Sequence, residues 1–587
     1  MNSDRASQFS SATWRLLIAG VLAAFGVFDG PLDAGEANPP DRVTCFYPLS
    51  PGQDSVDGAP VIRRPDDFAS LRSGFDPQVM AAWSSYLKVW QAHHDDPSDA
   101  AIRRFLGLAG DEPFAMRESA GRAAPSWLRW RRGSYRLVES PHFQVFTKAD
   151  VSATRDIVTD LERTHWVWTQ LFFPLWESRD QVAAALSGMA ADENAGAFVA
   201  ANRARLIPRG RMRVVVFSDK NQYQAALADS VPGIEQSTGF YGDRKRTIFL
   251  YATDDDSAED VATRRHELTH QLFREATASG LRQTMPGSRD QFWLVEGIAG
   301  YSESLRFHGG VATIGGWDSP RLQYARFRVF TTADFLPPRE LHGEGIAQVQ
   351  RRADLARWYA HAIMQTHWLM DQSGIVDHRL WVLTKLAELY RIELELRDSA
   401  APPELTLGDM QQFLSVSDSD LIANPVSGDL HELCLAGCTV SPEGLATVPP
   451  QDRLRWLDLS GLKIGNDDVR RLIPDPSSLR QVSLEATDVD AGISRWLARA
   501  RHVQELDLSW TGVGDELATP LPEMKGLQTL WLTGSRVGDA VLAVAGRLPE
   551  LTAIDVQRTR AATDAVNRLG QTRPNLRVNP LALRDTP

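Results

Sequence analysis

His266 and His270 stand four residues apart in "RRHELTHQLF", with Glu267 directly after the first. Residues four apart on a helix share one side, so two imidazoles can point at one ion. Glu267 sits one position round the helix and reaches a water on that ion rather than the ion itself. This is an H-E-x-x-H arrangement, in which the expected metal is zinc and the chemistry is hydrolysis.

Two imidazoles do not complete such a site, and a third ligand must come from a second segment. A glycine and a third histidine just downstream are absent, because Phe273 and Ala276 occupy those positions. "WLVEGIAGYSE", Trp293 to Glu303, supplies Glu296 from a second helix, with 25 residues between it and His270. Asp290 in "GSRDQ" is a rival ligand on a loop.

The elements that must position these groups are legible nearby. Ser257 with Asp260 three residues on reads as a capping box. It predicts a helix from there to about Ala278, stopping at Gly280. Val261, Leu268 and Leu272 recur at helical spacing and give it a buried face. Upstream, "YRLVESPHFQVFTK", "RMRVVVFSD" and "RTIFLYA" read as strands around the helix "TRDIVTDLERTHWVWTQLFF". Downstream the chain reads as mostly helical to about residue 397. This order of strands and helices predicts an α+β domain.

Taken together, "HELTH" and "WLVEGIAGYSE" resemble the gluzincin zinc metallopeptidases, in particular the aminopeptidase-N-like branch, whose second helix reads W-L-x-E-G-x-A-x-Y-x-E. Trp293, Leu294, Glu296, Gly297, Ala299, Tyr301 and Glu303 fall in register with it. The chain also resembles the peptidase-MA-like domains of exported bacterial proteins, in which a "GFY" stretch and an apolar strand precede the metal helix, as "GFYGDRKRTIFLY" does here. The resemblance covers about residues 134–400. It implies that His266, His270 and Glu296 ligate Zn2+ and that Glu267 acts as general base and then acid. It further implies a peptide or protein substrate, with the strand Thr247 to Tyr251 pairing with an extended peptide.

Departures from the pattern narrow the expectation. No G-x-M-E-N stretch precedes the metal helix, so the device that grips a free N-terminus is missing and an endopeptidase is the better reading. Gly300 stands where thermolysin-like members carry an aspartate. Glu303, on the same helix face as Glu296, can instead orient a ligand histidine. Tyr359 and His361 in "RWYAHAIMQ" are candidate oxyanion donors.

The C-terminal third is a repeat array. The pattern L-x-x-L-x-L begins at Leu430, Leu454, Leu479, Val503, Leu527 and Leu551, with a partial copy at Leu576, at intervals of 24 or 25 residues. It resembles leucine-rich repeats over about residues 428–580, where neighbours stack to close a core that no single repeat can bury. The small residues Cys438, Thr487, Thr511, Ser535 and Thr559 fall at the inward position. Arg455, Trp456, Asp458, Gln504, Glu505, Asp507, Gln528 and Trp531 face the concave side, a candidate surface for a protein partner.

Composition sets the limits. A chain of 587 residues with 43% hydrophobic and 24% charged residues is globular and holds more than one domain. A net charge of -12 excludes a general nucleic-acid binder. "LLIAGVLAAFGVF" behind Arg5 and Arg15 reads as a signal-peptide core with cleavage near Ala34 or Ala37, which predicts export; uncleaved, it would serve as a membrane anchor. Cys45, Cys434 and Cys438 read as structural, and His93 and His94 as a solvated helix end.

The expected architecture is therefore an α+β gluzincin-like metallopeptidase domain followed by an α/β leucine-rich-repeat solenoid. Its divisions are a signal peptide at 1–37, a partly helical N-terminal extension at 38–133, the metallopeptidase domain at 134–400, a linker at 401–427 and repeats at 428–580. The expected function is an exported zinc-dependent endopeptidase whose repeats recruit substrate or partner. The alternative is a non-catalytic binding protein that retains the metallopeptidase fold and uses its repeat surface.

Overall fold

A computed structural model describes residues 43–52, 74–108, 110–208, 210–231, 233–253, 257–277, 285–371, 378–394, 404–426, 428 and 430–579. The expected signal peptide and its cleavage sites lie outside the described residues. No helix among the described residues is long and apolar enough to cross a membrane. The described residues form two compact units: those from Val43 to Gly316 with those of Leu336–Glu404, and those of Trp317–Phe335 with those from Leu405 to Asn579.

The first unit is built on a six-stranded mixed sheet. Its strands are β2 (Arg117–Ala120), β3 (Arg136–Glu139), β4 (Phe143–Thr147), β5 (Met212–Phe217), β6 (Phe240–Gly242) and β7 (Thr247–Tyr251), in the order β2-β3-β4-β5-β7-β6. The run "VVV" at Val214 to Val216 is fully buried, as expected of a strand covered on both faces. It lies between β4 and β7, both parallel to it. At the rim β6 runs antiparallel to β7. The edge is therefore β6, and β7, with both sides paired, has no free side for a peptide. That corrects the expectation placed on Thr247 to Tyr251.

The stretch before residue 134 is part of this unit rather than an extension. β1 (Val43–Phe46) pairs antiparallel with β9 (Val311–Ile314), which also pairs with β8 (Arg306–His308). Helix Pro77–Asp95 is capped by Asp76, whose carboxylate accepts from Gln78 N, and it buries Trp83, Tyr86 and Trp90. His93 and His94 are buried with them, and His93 Nε2 accepts from the amide of Leu49 at 3.1 Å. The reading of these histidines as a solvated helix end fails because apolar surface closes over that end.

The second unit is a solenoid with a seven-stranded parallel sheet, β10 to β16 in sequence order, beginning at β10 (Glu432–Cys434). The next strands are β11 (Trp456–Asp458), β12 (Gln481–Ser483), β13 (Glu505–Asp507), β14 (Thr529–Trp531), β15 (Ala553–Asp555) and β16 (Arg577–Val578). Leu433, Leu457, Val482, Leu506, Leu530, Ile554 and Val578 stand side by side across it, each a repeat further on. The small inward residues share one role. Thr487, Thr511, Ser535 and Thr559 each donate their hydroxyl to the carbonyl three residues back, at 2.6–2.7 Å. Each ties the turn that follows its strand back to a carbonyl at the strand's end, which at Thr487 and Ser535 also accepts that residue's own amide. Cys45, Cys434 and Cys438 are free thiols.

Segments 317–335 and 405–426 belong here too, contrary to the expected divisions. Helices Leu407–Leu414 and Asp418–Ala423 replace the linker, and Ser417 pairs with Thr439 in parallel. Helix Pro320–Thr332 closes the open side of β10. Gln323 Oε1 accepts from Cys434 N at 2.9 Å, and Arg326 Nη1 donates to Cys434 O at 2.9 Å. The same guanidinium reaches Leu414 O and Trp317 O, and no part of it is exposed. A parallel sheet edge left open is a template for pairing with another chain, and this helix removes it.

Candidate metal centre

The segment around the two histidines forms helix Ala258–Glu275, with Ser257 and Asp260 making the expected capping box. The two arginines before His266 fix its rotation. Asp160 accepts from Arg264 Nε at 2.8 Å through one oxygen and from Arg265 Nη2 at 2.6 Å through the other. Burial alone would raise the Asp160 pKa, but the two guanidiniums hold it below the usual carboxylate range. With Leu268 and Leu272 fully buried, the histidine face has one orientation.

Glu296 lies on helix Phe292–Ser302, every residue of which is buried. This helix packs against helix Leu355–Asp371 through its glycines. A Cβ on Gly297 would meet Thr366 Oγ1 and stand 2.9 Å from the Ala362 carbonyl. Only glycine permits that approach, which is why an apolar helix carries a residue of poor helix propensity beside its carboxylate.

These two helices bring His266, His270 and Glu296 together, with one donor atom from each all within 4.8 Å of one another. Glu296 Oε2 is 3.5 Å from His266 Nε2, and Oε1 is 3.7 Å from His270 Nε2. Tetrahedral donors on zinc, at about 2.0–2.1 Å, stand roughly 3.3 Å apart. The distance from a Glu296 oxygen to each imidazole nitrogen is thus close to that spacing, and the set of two imidazoles and a carboxylate fits zinc. Asp290 is exposed in a turn and takes no part in this cluster.

Glu303 Oε1 is 2.8 Å from His266 Nδ1, so the carboxylate fixes the ring and leaves Nε2 facing Glu296. Burial would lower the His266 pKa, but hydrogen bonds to Glu296 and Glu303 carry it up to about 10. His270, buried beside that charge with only Glu296 opposing, falls to about 4. Glu303→Gln is expected to weaken zinc binding about 10–100-fold, as outer partners of metal-bound histidines do. Competition titration against a chelator reads that change, and unchanged affinity would remove Glu303 from the site.

Glu267 is buried, and its Oε2 accepts from the amide of Tyr241 at 2.7 Å. Burial raises its pKa to about 7, against the pull of His266 and the Tyr241 amide. Sequence reasoning missed this contact, although the "GFY" stretch that makes it had been noticed. β6 reaches the helix because Gly239 has no side chain: a Cβ there would lie 2.8 Å from Thr263 Cγ2. Of the two candidate oxyanion donors, Tyr359 hydrogen-bonds Glu296 and so stands at the cluster. His361 places Nδ1 2.8 Å from the Arg357 carbonyl of its own helix.

No protein family matches the chain, and no curated protein does so either. Among solved structures it is similar to a leucine-rich-repeat protein of Leptospira interrogans, at 16% identity over 25% of this chain and 36% of that one, with a TM-score of 0.20. It is also similar to an internalin of Listeria monocytogenes, at 16% identity over 30% of this chain and 56% of that one, with a TM-score of 0.22. The chain thus spans well under two thirds of either protein, and the repeat architecture rests on the register of its own strands.

Proposed function

We propose that the chain is an exported zinc-dependent peptidase, an endopeptidase, whose repeats recruit a substrate or partner protein. The observation that carries this reading is the convergence of donor atoms of His266, His270 and Glu296 within 4.8 Å, with Glu267 next to His266 in sequence and its carboxylate held by the Tyr241 amide. The gluzincin likeness supports it through two motifs, "HELTH" and "WLVEGIAGYSE".

Zinc held by these donors supplies a Lewis acid and acidifies water at the site. The chain's own residues do the rest. Glu267, fixed by the Tyr241 amide, receives a proton from the attacking water and returns it to the leaving amine. Tyr359 offers a phenol at the same cluster to an oxygen that gains charge.

Metal analysis of the protein purified without added metal is the test. One equivalent of zinc is expected, with chelator-sensitive cleavage of a mixed peptide library. Absence of stoichiometric zinc would remove the metallopeptidase reading. Full zinc without cleavage of any peptide would favour the binding-protein alternative, in which the repeats alone carry function.

A further inference from the structure

On the concave face of the solenoid, one position of each repeat forms a row across the sheet: Asp458, Ser483, Asp507, Trp531 and Asp555 on β11 to β15. Over its first half the capping helix Pro320–Thr332 lays Tyr324 and Phe327, which line a cleft together with Trp456, Trp531, Asp458 and Asp507. The Phe327 and Trp456 rings meet edge to face with centroids 5.8 Å apart. Trp456, expected on an open concave face, is therefore one wall of a cleft.

The floor is acidic. Asp458 and Asp507 are buried, and among the described residues each has no ion pair and accepts only from the serine two residues on, Ser460 or Ser509. Glu485 is 7% exposed and faces the same two aspartates. Among the described residues, no hydrogen bond or ion pair reaches its carboxylate. Glu505, half-buried, lies at the rim. Burial first, and then repulsion from neighbouring aspartates (Asp458 and Asp555 for Asp507, Asp507 and Asp458 for Glu485), push the Asp507 and Glu485 carboxyls up. Buried carboxylates without a cation are costly, and a fold that keeps two of them in a cleft walled by aromatic rings, with Glu485 near them, is arranged for a cation to come from outside.

We propose that this cleft binds a basic side chain, arginine above all, of an extended segment of a partner protein. A planar guanidinium stacks on aromatic faces and meets carboxylates in a fork, which suits walls of indole and phenyl over a floor of acids. The row also sets a spacing. Asp458, Asp507 and Asp555 occur on every second strand, so they recur at about 9.5 Å along the sheet. A polyproline-type segment places every third side chain on one side at about 9.3 Å. A partner with arginines three residues apart would therefore meet successive aspartates. The inference rests on the recruiting role proposed for the repeats and is independent of the metal site.

The test uses the full chain carrying Glu267→Gln, so that the probe is not cut. Three fluorescein-labelled nonapeptides, with arginine, glutamate or serine at every third position, are titrated by fluorescence anisotropy. The arginine peptide is expected to bind, more weakly as salt rises, and Asp458→Asn with Asp507→Asn to weaken it about tenfold or more. The asparagines keep an acceptor for Ser460 and Ser509, so thermal melting at or above the parent is expected. Should they melt lower, Glu505→Gln at the rim carries the same comparison. Unchanged arginine-peptide affinity in these variants overturns the proposal. Binding of the glutamate or serine peptide that is lost in Trp531→Ala leaves the recruiting role standing and removes the cation. Binding of none of the three removes both.

Discussion

Glu267→Gln is expected to lower peptide hydrolysis by about 10²–10⁴-fold while zinc content stays at wild-type level. The two halves of this result have separate causes. The carboxylate is not among the three donors that converge, so its replacement leaves the ligand set intact. It accepts from the Tyr241 amide at 2.7 Å, and a glutamine carbonyl can accept the same bond without moving the strand. What the amide cannot do is take up a proton. Parallel assays of wild type and variant on a peptide library, with metal analysis of both, read the difference. Hydrolysis within about twofold of wild type would mean that another group is the base.

Arg326→Ala should cost the repeat unit about 3 kcal/mol or more, the largest stability loss expected from a single residue there. Its guanidinium is fully buried and donates to the carbonyls of Cys434, Leu414 and Trp317. Each carbonyl left without a donor costs roughly 1–3 kcal/mol, and a void is added. Because the helix covers the edge of β10, the variant should also self-associate as that edge opens. Chemical denaturation and sedimentation would check both outcomes. A loss below about 0.5 kcal/mol, the level of ordinary surface substitutions, would show that this helix is not what holds the edge closed.

The parts legible from sequence are those whose physics is local or periodic. The stacked leucines repeat at intervals of 24 or 25 residues, and the paired strands follow that interval. His266 and His270 share a face through helical spacing alone, and the capping box at Ser257 is a four-residue signal. What escaped depends on distant pairing. Gln323 and Arg326 meet Cys434 across more than a hundred residues, and no periodicity marks a buried polar side chain whose partner is so remote. β6 is three residues long, too short to read as a strand, yet it forms the sheet edge and holds Glu267. His93 and His94 look like a polar helix end until the segment carrying Leu49 packs over them.

The chain enters the second unit at Trp317, returns to the first at Leu336 and leaves it again at Leu405. This routing imposes a timetable on synthesis. Arg326 emerges 108 residues before the Cys434 carbonyl that it satisfies. At about 5–20 residues per second, its helix waits some 5–20 s for its strand. The Glu296 helix also waits, because Ala362 and Thr366, which seat Gly297, come only after that excursion. A nascent chain therefore carries both His266 and His270 well before the helix presenting Glu296 is locked. The order of emergence withholds a finished site until the excursion is complete.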